Sequence, residues 1–171
     1  MTVSTRIAVI AVGDRSRHDD GVGWAVLSRL RERAAVRPLP PGTALSECDL
    51  DPGRLIRLWE DAGLAVVLES AHARPSRPGR IYRLELGAAE LWRPGVMSPH
   101  GLGEAVELAR ELGRLPGHLV AYAVDSADIS LGQGLSEPVA AMVEPLAERV
   151  EEEIVRHQVT AAAGAVASTA S

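Results

Sequence analysis

Two kinds of hydrophobic pattern succeed one another along this chain. Ile7-Ala8-Val9-Ile10-Ala11-Val12 and Leu64-Ala65-Val66-Val67-Leu68 are continuous apolar runs, and runs of that length with no polar face suit strands covered on both sides by helices. Between them, Val22, Ala25, Val26, Leu30 and Ala34 recur at helical spacing with Arg29, Glu32 and Arg33 opposite, which predicts an amphipathic helix. A short strand is expected over 43–48. Asp51-Pro52 then opens a helix that carries Leu55, Ile56, Leu58 and Trp59 and stops at Gly63.

Further along, Tyr82, Leu84 and Leu86 alternate with Arg83 and Glu85, the pattern of a more exposed edge strand. Residues 91–99 read as irregular. Ser98-Pro99-His100 reads as a cap, a first-position proline and a first-turn histidine. The helix they open would bury Leu102, Ala105, Val106, Leu108, Ala109 and Leu112. A last strand is expected over 119–124, and a final helix from about Ser136 with Val139, Met142, Val143, Leu146, Val150 and Ile154 at three-to-four spacing. Alternating strands and helices predict an α/β three-layer sandwich, with a mostly parallel twisted sheet of about five strands between helices on both faces. We expect one domain over residues 1–158, and a flexible tail over the small, featureless residues 159–171.

Composition narrows the function classes. The formal charge of −5 and the lack of a basic run exclude a general nucleic-acid binder. Every one of the 18 cations is arginine, and lysine and asparagine are absent. The single cysteine, Cys48, excludes an internal disulfide and fits a reducing cytoplasm. There is no secretory signal pattern and no apolar run long enough to span a bilayer, so a cytoplasmic protein without a membrane partner is expected.

The candidate chemistry starts in Gly13-Asp14-Arg15-Ser16-Arg17-His18-Asp19-Asp20-Gly21-Val22-Gly23, which joins the first buried strand to the first helix. In open α/β sheets the carboxyl ends of strands carry the ligands. Asp20, Glu69 and His100 all fall at such ends or in first helical turns. Two carboxylates and an imidazole suit a divalent metal with positions left open, unlike the closed thiolate set of a structural zinc site. Each has a plainer role: Asp20 as a helix cap, Glu69 as the partner of an arginine, His100 as a polar residue at a helix start. On spacing alone both readings stand.

Two other chemistries fit less well. The loop is not Gly-x-Gly-x-x-Gly, no lysine follows it, and Asp19 with Asp20 would repel a phosphate. Cys48 paired with His100 or His72 would make a thiol nucleophile, but Glu47 and Asp49 flank it and would suppress the thiolate.

Taken in order, Gly13, Asp19-Asp20-Gly21-Val22-Gly23, the apolar strand ending in Glu69, Pro78-Gly79 and Ser98-Pro99-His100-Gly101-Leu102-Gly103 resemble the [NiFe] hydrogenase maturation endopeptidases over about residues 6–155. The resemblance implies an α/β fold and an enzyme that removes the C-terminal extension of the hydrogenase large-subunit precursor after nickel insertion. It implies that Asp20, Glu69 and His100 recognise the nickel, which the substrate carries, and that Asp20 and Glu69 stand at the reacting bond. Glu69 occupies a position where the family often has aspartate, Asp14 one where it often has asparagine, and Glu47-Cys48-Asp49-Leu50-Asp51-Pro52 stands where many members carry Gly-Gly-Thr. The alternatives are a catalytically inactive adaptor that docks on a metalloprotein precursor and a nucleotide-binding α/β module.

Overall fold

The computed structural model describes residues 6–49, 51–85, 96–97 and 101–170. Five strands form the main sheet in the order β2-β1-β3-β6-β4: β1 (Ile7–Val12), β2 (Thr43–Cys48), β3 (Leu64–Ala73), β4 (Ile81–Glu85) and β6 (His118–Asp125). The two-residue β5 (Val96–Met97) pairs antiparallel with the end of β3. In the main sheet β1, β2, β3 and β6 run parallel, and β4 runs antiparallel on the edge beside β6. The expected three-layer α/β sandwich is what forms.

Strand alternation divides the core into two. Ile7, Val9, Leu64, Val66, Leu68, Val120 and Tyr122 pack on one face under α1 (Val22–Val36) and α5 (Val143–Thr169). Ala8, Ile10, Ala65, Val67, Leu119 and Ala121 pack on the other under α2 (Pro52–Trp59) and α3 (Leu102–Glu111). A short α4 (Glu137–Ala140) leads into α5. The central strands are buried on both sides, which is why their sequences carry no polar alternation.

Several local expectations hold and several need correction. Asp51 caps α2 as expected, its carboxylate accepting from Gly53 N at 2.9 Å. α1 buries Val22, Gly23, Val26, Leu27 and Leu30, so Leu27 takes the place expected of Ala25 and Ala34. α3 has Gly101 at its N-terminus, at φ 65°, a left-handed conformation that glycine tolerates, and runs from Leu102; Ser98, Pro99 and His100, where the sequence places its start, lie outside the described residues. Leu108 and Leu112 are 41% and 53% exposed, leaving Leu102, Ala105, Val106 and Ala109 as the buried side of α3. Helix α5 continues to Thr169, where an unstructured tail was expected; its last residues are alanine-rich, the composition with the highest helix propensity.

Helix α1 is held to α5 by apolar packing and by an ion-pair lattice. Arg29 bridges to Glu144, and Arg33 reaches Glu144 at 2.5 Å and Glu151 at 2.6 Å. Ion pairs this near the surface are worth about 0–1 kcal/mol each. Burying Val26, Leu27 and Leu30 on α1 and Leu146, Val150 and Ile154 on α5 is worth about 1.5–3 kcal/mol per side chain. Apolar burial dominates, and the charges fix which faces meet.

Candidate active site

The strand order reverses beside β1: the chain leaves β1 toward β2, returns through α2, and continues at β3 on the other side. Open α/β sheets form a crevice at such a reversal, outside the carboxyl ends of the strands. The register shows how it is built here. β1 and β3 pair from Ile7↔Leu64 to Ala11↔Leu68, while β3 continues along β6 through Glu69↔Ala123, Ser70↔Val124 and Ala71↔Asp125. Beyond Leu68, β3 has lost its β1 neighbour. The loop 13–21 fills the space.

Two glycines let the loop lie that close. A Cβ on Gly13, at φ 144°, would collide with the carbonyl oxygen of Asp20, and a Cβ on Gly23 would come within 2.5 Å of Leu68 O. The first turn of α1 thus sits against the backbone of β3. Gly13 O accepts from Trp24 Nε1 at 3.0 Å, tying the loop's entry to the helix it feeds.

Asp20 is fixed at both oxygens. Oδ1 accepts from Ser70 Oγ at 2.6 Å and Oδ2 from Asp14 N at 2.8 Å. The carboxylate therefore lies one residue along β3 from Glu69, and the two acids are 4% and 1% exposed. Alternation assigns Ser70 to the α1 face and Glu69 to the α2–α3 face, so the acids flank the projecting end of β3 from its two sides. Glu69 does not end the strand, as its sequence suggested, but stands inside it. Ser70, which the sequence left without a role, carries the contact that brings Asp20 to β3.

Asp19, at 0% exposure, belongs to a different construction. It accepts from Ala127 N and Asp128 N at 2.8 and 2.9 Å, and from Ser136 N and Oγ at 2.7 and 2.8 Å. These bonds tie the loop to segment 126–136, which also exchanges backbone bonds with Ser16 and His18 through Gly132. Neither aspartate caps α1: residues 18–21 form a 3-10 turn, and no side-chain cap bond is made to it or to α1. Asp125 plays the matching part for the next loop. Its carboxylate accepts from Ala73 N at 3.0 Å and from Arg77 N, and its carbonyl from Gly79 N at 2.8 Å. Sequence reasoning missed both anchors, since the partners of the two carboxylates lie 48 or more residues away.

His100 lies outside the described residues, so the third member of the expected set has no position here. Among the described residues, no group of three or more His, Cys, Asp and Glu is gathered that could hold a metal ion.

The competing chemistries lose ground in this geometry. The amides of Asp14, Ser16, Arg17, His18, Asp19 and Asp20 are all consumed inside the protein, leaving none of these six to cradle a phosphate. Cys48 is buried, and burial first, then Asp49, pushes its thiol up to about 11, so it is not a nucleophile at neutral pH. No helix among the described residues is long and apolar enough to cross a membrane.

No protein-family model and no curated protein sequence matches the chain. Solved structures do. The hydrogenase maturating endopeptidase HybD from E. coli aligns with a TM-score of 0.71 at 22% identity, over 85% of this chain and 89% of that one. The [NiFe] hydrogenase maturation protease HybD from Thermococcus kodakarensis aligns with a TM-score of 0.65 at 20% identity, over 87% and 99%. The hydrogenase 2 maturation peptidase from Thaumarchaeota archaeon SCGC_AB-539-E09 aligns with a TM-score of 0.63 at 22% identity, over 87% and 97%. The chain has the fold of these peptidases along nearly its whole length.

Proposed function

We propose that this protein is an endopeptidase that removes the C-terminal extension of a nickel-loaded [NiFe] hydrogenase large-subunit precursor. The observation that carries the reading is the placement of Asp20 and Glu69 on either side of the projecting end of β3. Two buried carboxylates flank one projecting strand at the reversal of the sheet, in a fold shared with enzymes named as hydrogenase maturation peptidases.

Nickel is part of the substrate in this account. Asp20, Glu69 and His100 dock on the ion, and coordination then sets the position of the scissile peptide, which converts recognition into orientation. Oxygen and imidazole donors suit a divalent ion that already has other ligands. Asp20 meets it with an orientation already fixed by Ser70 and Asp14, so little side-chain freedom is lost on docking. A carboxylate beside the bond supplies a base for the attacking water; Asp20 and Glu69 are the candidates.

The test is to incubate the purified protein with nickel-loaded and nickel-free precursor and to follow precursor mass. Loss of the extension from the nickel-loaded form alone is expected. Tight binding without cleavage would replace the peptidase by a docking adaptor, and cleavage of both forms equally would remove nickel from the recognition step.

A further inference from the structure

The arginines of this chain are not distributed like its carboxylates. Most described arginines are in ion pairs, on α1, α2, α3, β4 and α5. Among the described residues, Arg15, Arg74, Arg77, Arg80 and Arg149 make none. Four of these five stand on the two loops that rim the crevice, 13–21 and 74–80, and all four are exposed. Arg15 lies over the Trp24 ring at 4.9 Å and Arg80 over Tyr82 at 5.3 Å, contacts that orient a guanidinium without neutralising it.

The acids of the same rim are already engaged. Asp19 and Asp125 turn inward to backbone amides. Asp14 is held by Ser16 and Arg17, and Asp128 by Ser130. Glu137, at the start of α4, remains exposed. Among the described residues, a protein of net charge −5 thus gathers four of its five arginines without an ion pair at the carboxyl edge of its sheet. The loops that carry it are rigidly anchored, 74–80 by Asp125 and 13–21 by Asp19 and Asp20.

We propose that this edge is a docking face for an acidic peptide segment of the partner protein, with Arg15 on one side of the crevice and Arg74 and Arg77 on the other binding its carboxylates. From β1 across β3 and β6 to β4 is three inter-strand steps, about 14 Å at roughly 4.8 Å each. An extended segment of four or five residues covers that span at about 3.3 Å per residue, and its backbone then passes over Glu69 and Asp20. Guanidinium forks bind carboxylates in two-point fashion, so the arrangement fixes the direction and reach of the segment as well as attracting it. The inference rests on the peptidase reading for the partner's identity, and on the charge distribution for the chemistry of the segment.

The experiment uses the full chain, an octapeptide with four glutamates bearing a fluorescent label, and the same peptide with glutamines in their place. Anisotropy titration is expected to give binding at least about tenfold tighter for the glutamate peptide, lost at about 1 M salt, where screening is nearly complete. The double variant Arg15→Gln/Arg77→Gln, checked for unchanged melting, should lose that about tenfold preference. Arg149→Gln, which neutralises an unpaired arginine of α5, should keep it. Equal binding of the two peptides, or an equal loss in Arg149→Gln, overturns the docking face. Arginine-dependent peptide binding by a protein that leaves nickel-loaded precursor uncut supports the face and overturns the peptidase reading. Cleavage of the precursor with no preference for glutamate does the reverse.

Discussion

Ser70 and Asp19 do opposite jobs for neighbouring acids, and substitution separates them. Ser70→Ala removes the hydroxyl that holds Asp20 Oδ1 at 2.6 Å; a hydrogen bond to a charged group contributes about 1.5–3 kcal/mol. Chemical denaturation should show a loss in that range, and precursor processing should slow because Asp20 is no longer oriented. Asp19→Ala strips the acceptor from three backbone amides and one hydroxyl in a buried position. Its cost should exceed about 3 kcal/mol, read as a fall in melting temperature, with the loop 13–21 released from segment 126–136. In the sequence these two aspartates are adjacent and equivalent. Only their partners, Ser70 in one case and residues 127–136 in the other, tell an acid that serves the crevice from one that clamps it.

At the scale of elements, the seam between α5 and the sheet has a signature in pH. Arg83 of β4 reaches both oxygens of Glu153 at 2.9 and 3.0 Å, and Tyr122 of β6 donates to Oε2 at 2.6 Å. Burial works to raise the Glu153 carboxyl, but the hydrogen bonds from Arg83 and Tyr122 outweigh it and hold it below its usual value; burial and Glu153 push the Tyr122 hydroxyl up to about 12. Because the folded value of Glu153 lies below its unfolded reference of 4.5, its stabilising effect is present above that pH and is lost as pH falls through the depressed folded value. Glu144 and Glu151 are held low by Arg29 and Arg33 and act in the same direction. Melting temperature should therefore drop on acidification below about pH 4.5, and Glu153→Gln should flatten that drop while lowering stability at neutral pH.

The contact between α1 and β3 belongs to the same scale. Gly23→Ala would set a methyl 2.5 Å from Leu68 O, and overpacking of this kind costs about 1–3 kcal/mol. Urea unfolding should show that loss together with weaker processing, since α1 carries the loop with it. The five strands of the main sheet and four longer helices were legible because apolar runs, strand alternation and 3.6-residue periodicity leave marks in the residue order itself. What was not legible depends on tertiary neighbours. The extension of β3 past Leu68 needs β6 as a partner, and the acid clamps depend on amides far along the chain. Asp20 and Glu69 were chosen by their expected place at strand ends or in a first helical turn; the fold instead sets Glu69 inside β3 and Asp20 in a 3-10 turn, and Ser70 brings Asp20 to the strand.

At the scale of the whole molecule, the sheet and its two helical layers form one body, from which the end of α5 projects. Val155, Val159 and Val166 are 55%, 65% and 70% exposed, and among the described residues none beyond 158 contributes a side chain to either main core. Truncation after residue 158 should leave the melting temperature and processing unchanged, which calorimetry and the processing assay check together. The proposed function places the remaining work at the edge of the sheet, where two acids would meet the substrate's nickel between loops anchored by Asp19 and Asp125. The direct measurement of that claim is the mass of nickel-loaded precursor after incubation with wild-type protein, Asp20→Asn and Glu69→Gln, each shown by circular dichroism to be folded. The account predicts loss of the C-terminal extension with wild type and an intact precursor with either variant; a precursor shortened at the wild-type rate by both variants would contradict it.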